Sequence, residues 1–235
     1  MAEWLSPGDK ALLDARMRNF SGAGLYLVTS EEVSHGRKTP DIVRMALDAG
    51  VRLVQLREKS MADGALFRLA AEVRRITADV GACLIVNDRV DIALACGADG
   101  VHLGREDLPV DVARRIAPGL VIGASAHSVA DVLDAHKKGA SYVNVGPLFP
   151  TSTKKVPAGR FLGIDGLRQM IAAAAIPSTV MGGIKKEHVA GLVAAGARII
   201  AVVSAVTTAE NPEQAARDLI DEIPRASNKD PQRPV

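Results

Sequence analysis

Two aspartates near the ends of neighbouring predicted strands are the first candidates for chemistry in this sequence. Asp88 follows the apolar run Cys83–Asn87, and Asp107 comes a few residues after the run Gly100–Leu103. Carboxylate oxygens suit a hard cation such as Mg²⁺, which keeps some waters and takes phosphate oxygens of a substrate as further ligands. Asp88 alone could equally cap the helix that follows it. Taken together, the two aspartates form a candidate metal site.

A polar segment follows the second predicted strand. Leu53, Gln55 and Arg57 share one face of that strand by its period of two, and we expect Gln55 and Arg57 to enter the interior if Leu53 does. Lys59 then lies in the loop above, where its ammonium can meet an anion, although a solvated charged loop would contain the same residue.

Hydroxyl and basic residues also follow the fifth and sixth predicted strands. Ser125 could donate to a substrate, and His127 could titrate near neutrality or simply pack in its loop. The loop after the sixth strand suits the recognition of an oxyanion, because donors stand beside point charges there. Its polar residues are Thr151, Ser152, Thr153, Lys154 and Lys155.

Small residues follow the last two predicted strands. Gly182 and Gly183 come after the seventh, and Ser204 after the eighth. A phosphate site of a (β/α)8 barrel needs such residues there, because the backbone can approach the anion closely and the next helix begins nearby. A tight turn at the two glycines is the alternative. We expect a phosphate monoester at this position.

The elements that must hold these residues alternate regularly between strand and helix. Eight such units with no break in composition predict an α/β fold, a single-domain TIM (β/α)8 barrel with a short helical N-terminal extension. Glycine at helix ends, as at Gly50 and Gly139, supplies the left-handed cap. The predicted strands are Leu25–Thr29, Arg52–Arg57, Cys83–Asn87, Gly100–Leu103, Val121–Gly123, Tyr142–Val145, Ser178–Met181 and Ile199–Val203.

Composition sets the wider limits. Residues 1–22 are expected to form the extension, 23–224 the catalytic barrel and 225–235 a disordered tail. A formal charge of +2 argues against binding to nucleic acid or a membrane surface. Cys83 and Cys96 lack metal-ligand spacing. No apolar signal or membrane span is evident, so we expect a cytoplasmic enzyme, and a homo-oligomer is compatible with these features.

Taken in order, the segments at the strand ends resemble the thiamine phosphate synthase family. No single segment is decisive, but eight of them in the same order are specific, and they extend from about residue 25 to 205. The segments are Leu25–Thr29, Gln55–Lys59, Asn87-Asp88, His102-Leu-Gly with Asp107, Gly123-Ala-Ser125, Gly146-Pro with Thr151–Lys154, Gly182-Gly183-Ile184 and Val203-Ser204.

The resemblance implies a transferase of thiamine biosynthesis. It would join an aminopyrimidine diphosphate to a thiazole phosphate, or to its carboxylated precursor, by a Mg²⁺-dependent dissociative reaction that releases diphosphate. Asp88 and Asp107 would hold Mg²⁺, and Lys59, Ser125 and Lys154 would be the catalytic residues. The pyrimidine substrate would contact Gln55, Leu56, Arg57, Glu58, Lys59, Asn87, Ser125 and Lys154. The thiazole phosphate would contact Thr151, Ser152, Thr153, Gly183, Val203 and Ser204.

Two other functions remain open on the sequence. A thiazole tautomerase of the same superfamily would share the barrel and the phosphate site, and would rely on a histidine near His127. A non-catalytic phosphate-binding barrel would bind ligand without turnover and would not need magnesium. The residues for a diphosphate and a metal, which include Lys59, Asp88 and Asp107, favour the synthase over both.

Overall fold

Eight parallel strands close into a barrel in the order of the chain, which confirms the predicted (β/α)8 fold. The computed structural model describes residues 5–151, 153 and 161–223. The barrel closes where β8 pairs with β1, with Ile200 opposite Leu25. The strands are β1 Leu25–Val28, β2 Leu53–Leu56, β3 Cys83–Asn87, β4 Gly100–Leu103, β5 Val121–Ala126, β6 Tyr142–Val145, β7 Ser178–Val180 and β8 Ile199–Val202.

Helices lie around the barrel, the first one before β1 and the others after the strands. They are α1 Pro7–Ser21, α2 Thr39–Asp48, α3 Asp63–Ala78, α4 Val90–Ala95, α5 Val110–Ile116, α6 Val129–Lys137, α7 Gly163–Ala173, α8 Val189–Ala194, α9 Ser204–Thr207 and α10 Pro212–Glu222. Short 3₁₀ turns occupy Glu31–Val33 and Lys186–His188. No helix in the described part of the chain is both long and apolar enough to cross a membrane.

Alternation along each strand divides the core into two layers. Leu53 faces the interior together with Tyr26 and Tyr142. Val54 and Leu56 belong to the second layer, between the barrel and its helices. Complete burial of a side chain such as Leu53 stabilises the fold by about 1.5–3 kcal/mol. Because Leu53 points inward, Gln55 does too, as the sequence predicted.

Helix α1 closes the N-terminal end of the barrel. Its Phe20 is fully buried, with its ring centroid 4.4 Å from that of Tyr142 and 6.3 Å from that of Tyr26. Arg16 donates to the carbonyls of Ala98 at 3.2 Å and Gly119 at 2.8 Å, just before β4 and β5. The helical extension is therefore part of the interior packing, a role that the sequence did not indicate.

Two differences from the predicted elements affect the site. Strand β5 continues to Ala126, so Ser125 lies within the strand rather than after it. Helix α9, directly after β8, was not predicted, and Ser204 is its first residue. The predicted tail 225–235 and the predicted boundary at residue 224 lie outside the described residues.

Candidate active site

Most of the predicted site residues lie at the C-terminal end of the barrel, where the loops after the strands meet. They share partial exposure, so they can contact a ligand while remaining fixed by the strands that carry them. The half-buried members are Arg57, Glu58, Asn87, Asp88, Asp107, Ser125, Thr151, Thr153, Gly183, Val203 and Ser204. Ser152 and Lys154 lie outside the described residues.

The two aspartates and Lys59 form one charged cluster at this end. Lys59 Nζ lies 2.6 Å from Asp88 Oδ2, with the lysine side chain 51% exposed and the aspartate 21% exposed. Burial raises the pKa of Asp107, and the neighbouring carboxylate of Asp88 raises it further. Among the described residues, the two carboxylates thus share one small volume with one ammonium, that of Lys59, an arrangement that favours an additional cation.

Neither aspartate serves as a helix cap. Helix α4 begins after Arg89 and helix α5 after Pro109, and neither helix has a side-chain cap bond. Asp107 Oδ2 instead accepts the Gly104 N–H at 2.6 Å. The alternative explanation for Asp88, a capping role, is therefore not found in the structure.

Asp88 has an unusual backbone conformation, with φ of +64°. Aspartate and asparagine are the non-glycine residues most tolerated in this left-handed region, which costs other residues of the order of 1–3 kcal/mol. Its N–H donates to the carbonyl of His102 at 2.8 Å, which fixes the end of β3 against β4. This geometry turns the Asp88 carboxylate toward Lys59.

The side chains of the segment Gln55–Lys59 do not all point to the same side of the barrel wall. Gln55 is 1% exposed and points into the interior, whereas the Leu56 side chain packs outward among the helices. Glu58 accepts the hydroxyls of Thr29 and Thr39, each at 2.8 Å, and the N–H of Glu31 at 2.9 Å. The Leu56 side chain therefore cannot reach a ligand in the interior, and the Glu58 carboxylate holds the loops above β1 and β2 in place.

Ser125 has a buried histidine as its neighbour. His102 Nε2 lies 3.0 Å from Ser125 Oγ, and the histidine is only 5% exposed. In the sequence, His102 stands out only as part of the matched segment His102-Leu-Gly, and no role was assigned to it. His127, in contrast, forms a hydrogen bond through its ring Nδ1 with the carbonyl of Gly146. The backbone N–H of His127 donates to the Asp131 carboxylate at 2.9 Å.

The glycines after β7 pack against the loop after β6. The N–H groups of Leu148 and Phe149 donate at 3.0 Å to the carbonyls of Met181 and Gly182. Gly183 has φ of +62°, and a Cβ there would overlap the carbonyl oxygens of Phe149 and Pro150. Gly183 thus has a packing requirement of its own.

The described polar residues near these glycines come from two loops. Thr151 Oγ1 lies 2.9 Å from Thr153 Oγ1 and 3.3 Å from the Thr153 N. Val203 follows the adjacent strand β8, and Ser204 is the first residue of α9. Hydroxyls, a glycine turn and a helix start therefore occur together at the ends of β6, β7 and β8.

Comparison with known proteins gives a consistent result. The family model for thiamine monophosphate synthase matches residues 25–206. A thiamine-phosphate synthase of Methanoregula boonei is 46% identical over 206 residues, covering 87% of this chain and 95% of the relative. One from Pyrococcus abyssi is 43% identical over 195 residues, covering 83% and 92%.

A solved structure agrees with these relatives. The structure of thiamine phosphate pyrophosphorylase from Pyrococcus furiosus superimposes with a TM-score of 0.80 at 37% identity, and the match covers 88% of this chain and 96% of that one. The family model spans all eight strands, from the start of β1 at Leu25 to the end of β8 at Val202. This chain belongs to the thiamine monophosphate synthase family.

Proposed function

We propose that this protein forms thiamine phosphate from an aminopyrimidine diphosphate and a thiazole phosphate, releases diphosphate, and uses Mg²⁺. It is a transferase of thiamine biosynthesis, as its relatives are. The observation that carries the finer proposal is the cluster of Lys59, Asp88 and Asp107 at the ends of β2, β3 and β4. Such a cluster suits a substrate that brings both a metal and several negative charges.

The donor set at this cluster fits magnesium. Among the described residues, no group of three or more His, Cys, Asp or Glu side chains is arranged to hold a metal ion by itself. Mg²⁺ typically binds through one or two carboxylates, with waters and substrate phosphates as its other ligands. Asp88 and Asp107 would supply the carboxylates and leave the other positions to water and the diphosphate. When bound, the ion neutralises charge that develops on the phosphate oxygens of the leaving group.

Lys59 would change partner when substrate binds. In the structure its ammonium is paired with Asp88 at 2.6 Å. The lysine is half exposed and lies on a loop, so it can move to the diphosphate once another cation occupies the carboxylates. Once beside the leaving group, the ammonium stabilises the negative charge that develops there in the transition state.

The reaction requires the protein mainly to position the two substrates and to stabilise the charges that develop. The bond between the pyrimidinylmethyl carbon and the diphosphate oxygen breaks, and its electron pair leaves with diphosphate. The lone pair of the thiazole nitrogen then forms the new C–N bond. No proton has to be removed in either step, so the absence of a dedicated general base among the predicted site residues is expected. Holding both reactants close in the barrel mouth supplies much of the rate.

The thiazole phosphate would bind on the opposite side of the mouth. Thr151, Thr153 and Ser204 offer hydroxyl donors there, and Gly183 permits a close approach of the backbone. The phosphate sites of (β/α)8 barrels commonly lie after the seventh and eighth strands. With the metal cluster after β3 and β4, the two negative groups would enter from opposite sides and leave the reacting carbon and nitrogen between them.

Turnover of matched variants tests this assignment. The protein is incubated with aminopyrimidine diphosphate, thiazole phosphate and increasing Mg²⁺, and thiamine phosphate is measured. Asp88→Asn keeps a residue that tolerates positive φ, and Asp107→Asn keeps the side-chain shape. Asp111→Asn is the control, because the Asp111 side chain is half-exposed on α5 and pairs with Arg115 one turn along the same helix.

We expect each site variant to need at least tenfold more Mg²⁺ for half-maximal rate, and to lose about a hundredfold in kcat. The Asp111→Asn control should match the wild type. Magnesium-dependent turnover that is unchanged in both site variants would contradict the metal assignment. Absence of turnover in the folded wild type, with thiazole phosphate still bound, would contradict the synthase itself.

A further inference from the structure

Five polar side chains form a continuous hydrogen-bonded chain through the interior of the barrel. Gln55 Nε2 donates to Tyr26 Oη at 2.7 Å, and Tyr26 Oη lies 3.1 Å from Tyr142 Oη. Tyr142 Oη lies 3.0 Å from His102 Nδ1, and His102 Nε2 lies 3.0 Å from Ser125 Oγ. The chain thus begins at one predicted substrate residue, Gln55, and ends at another, Ser125.

The middle of this chain is sealed from solvent. Both tyrosines are 0% exposed, and His102 is 5% exposed. Burial raises the pKa of Tyr26 and Tyr142, so both remain protonated hydroxyls at neutral pH. In such a site each hydroxyl hydrogen must find an acceptor, because an unpaired buried donor costs about 1–3 kcal/mol.

These requirements give the chain a direction. The Gln55 amide nitrogen can only donate, so the Tyr26 oxygen accepts there. Tyr26 then has its own hydrogen to give to Tyr142, and Tyr142 gives its hydrogen to His102 Nδ1. Among these five side chains, no other assignment of donors and acceptors pairs both tyrosine hydrogens.

The direction fixes the tautomer of the histidine. With Nδ1 as an acceptor, the proton of His102 is on Nε2, and Nε2–H donates to Ser125 Oγ. The Ser125 oxygen is then occupied as an acceptor on its inner side. Its own hydrogen is left to be donated toward the mouth of the barrel, where Ser125 is half exposed.

We propose that His102 is a positioning residue for the synthase reaction, held as the Nε2–H tautomer by Tyr142 so that Ser125 presents a hydrogen-bond donor to the reactants. The proposal rests on the proposed function and deepens it. It assigns no contact between His102 and substrate, because His102 acts through Ser125. Gly123 makes room for the arrangement, because a Cβ at that position would overlap the ring of Tyr142.

Two conservative variants separate the bonds that His102 makes on its two sides. His102→Gln places an amide N–H near the position of Nε2 and keeps a donor for Ser125. His102→Asn places its polar atoms near Nδ1, keeps a partner for Tyr142 and removes the donor to Ser125. We expect the Asn variant to lose about tenfold in kcat, with KM for thiazole phosphate unchanged, and the Gln variant to recover most of that loss.

A double variant tests whether the effect passes through the serine. Ser125→Ala should lower kcat, and adding His102→Asn to it should lower kcat no further. Equal activities of the Asn and Gln variants, or an added tenfold loss in the double variant, would overturn the proposal. Circular dichroism and thermal unfolding exclude variants that fail to fold.

Nitrogen NMR of the wild-type protein gives a test that does not need turnover. With ¹⁵N-labelled histidine, the ring of His102 is identified among the five histidines as the one absent from the His102→Gln spectrum. A neutral ring protonated at Nε2 supports the proposal. Protonation at Nδ1, or at both nitrogens, overturns it. Because this reading is independent of catalysis, failure of the proposed function and failure of this inference remain distinguishable.

Discussion

The hydroxyl of Thr29 donates a 2.8 Å hydrogen bond to Glu58 Oε1, and the same hydroxyl oxygen accepts the Arg57 N–H at 3.0 Å. Thr39 adds a second hydroxyl to Glu58 Oε1 at 2.8 Å. The loops above β1 and β2 are therefore tied together by one carboxylate. Since Arg57 and Lys59 flank that carboxylate in the chain, the tie determines where both basic side chains leave the strand.

Replacement of Glu58 by glutamine should weaken this tie. The carboxylate accepts bonds on both oxygens, whereas a glutamine amide turns one acceptor into a donor facing another donor. We expect a loss of about 1–3 kcal/mol in unfolding free energy and about a tenfold lower kcat. Denaturant unfolding and steady-state kinetics measure the two effects. Glu72→Gln, an exposed partner of Arg44, is the control, and equal behaviour of the two variants would contradict the role of Glu58.

A methyl group at Gly123 should disturb the interior chain directly. The added Cβ overlaps the Tyr142 ring, and that ring cannot move aside without repacking the interior of the barrel. We expect Gly123→Ala to lose about 1–3 kcal/mol of stability and to lower kcat. Gly191→Ala, in helix α8 with no atom within 4 Å of the new Cβ, should gain about 0.5–1 kcal/mol instead. If both substitutions shift the unfolding midpoint in the same direction, the packing argument fails.

Truncation of Phe20 should show that helix α1 belongs to the barrel core. Phe20 is fully buried, and its ring packs on Tyr142 at the closed end. We expect Phe20→Ala to cost about 3–5 kcal/mol of unfolding free energy, as large-to-small core substitutions do. Phe67→Ala removes the same atoms from a side chain that is 40% exposed, and should cost far less. Similar losses of unfolding free energy in the two variants would mean that Phe20 of α1 is not part of the barrel core.

The two cysteines should differ in reactivity. Burial raises the pKa of both thiols, and Asp99 raises that of Cys83 further, so little thiolate is present at pH 8. Cys83 is 2% exposed inside the barrel, while Cys96 is partly exposed. With Ellman's reagent, we expect Cys96 to react slowly, faster as the pH rises, and Cys83 to react only after denaturation. A Cys96→Ser variant that still reacts in its native state would contradict this.

The sequence predicted the barrel well where its pattern was strong. β3 and β6 were predicted at the bounds they have, because aliphatic runs between turn residues leave little choice. β5 was predicted to end at Gly123 but reaches Ala126, since its last residues are small and have little strand preference of their own. Pairing of Ser125 with Asn144 across to β6 extends it. Helix α9, of four residues, is too short to show a period.

The sequence could predict where the candidate site residues lie in the barrel, but not the direction of every side chain. The closeness of Asp88 and Asp107 could be predicted because residues that follow adjacent strands of a barrel meet at the same end; their binding of a metal stays a prediction. Leu56 and Glu58 were included because the family resemblance covers a continuous segment, although alternate residues of a strand face opposite sides. His102 and Tyr142 were missed because their roles arise from a contact between residues 40 positions apart, although alternation along β6 could have placed Tyr142 inside.

The most direct test of the account is the reaction of the wild-type protein itself. Purified enzyme is mixed with aminopyrimidine diphosphate and thiazole phosphate, and thiamine phosphate and diphosphate are measured together, with Mg²⁺ and then with a chelator in excess. We predict equal amounts of the two products with Mg²⁺ and loss of turnover on chelation that added Mg²⁺ restores. Diphosphate release without thiamine phosphate, or no product from folded protein that binds both substrates, would contradict the account.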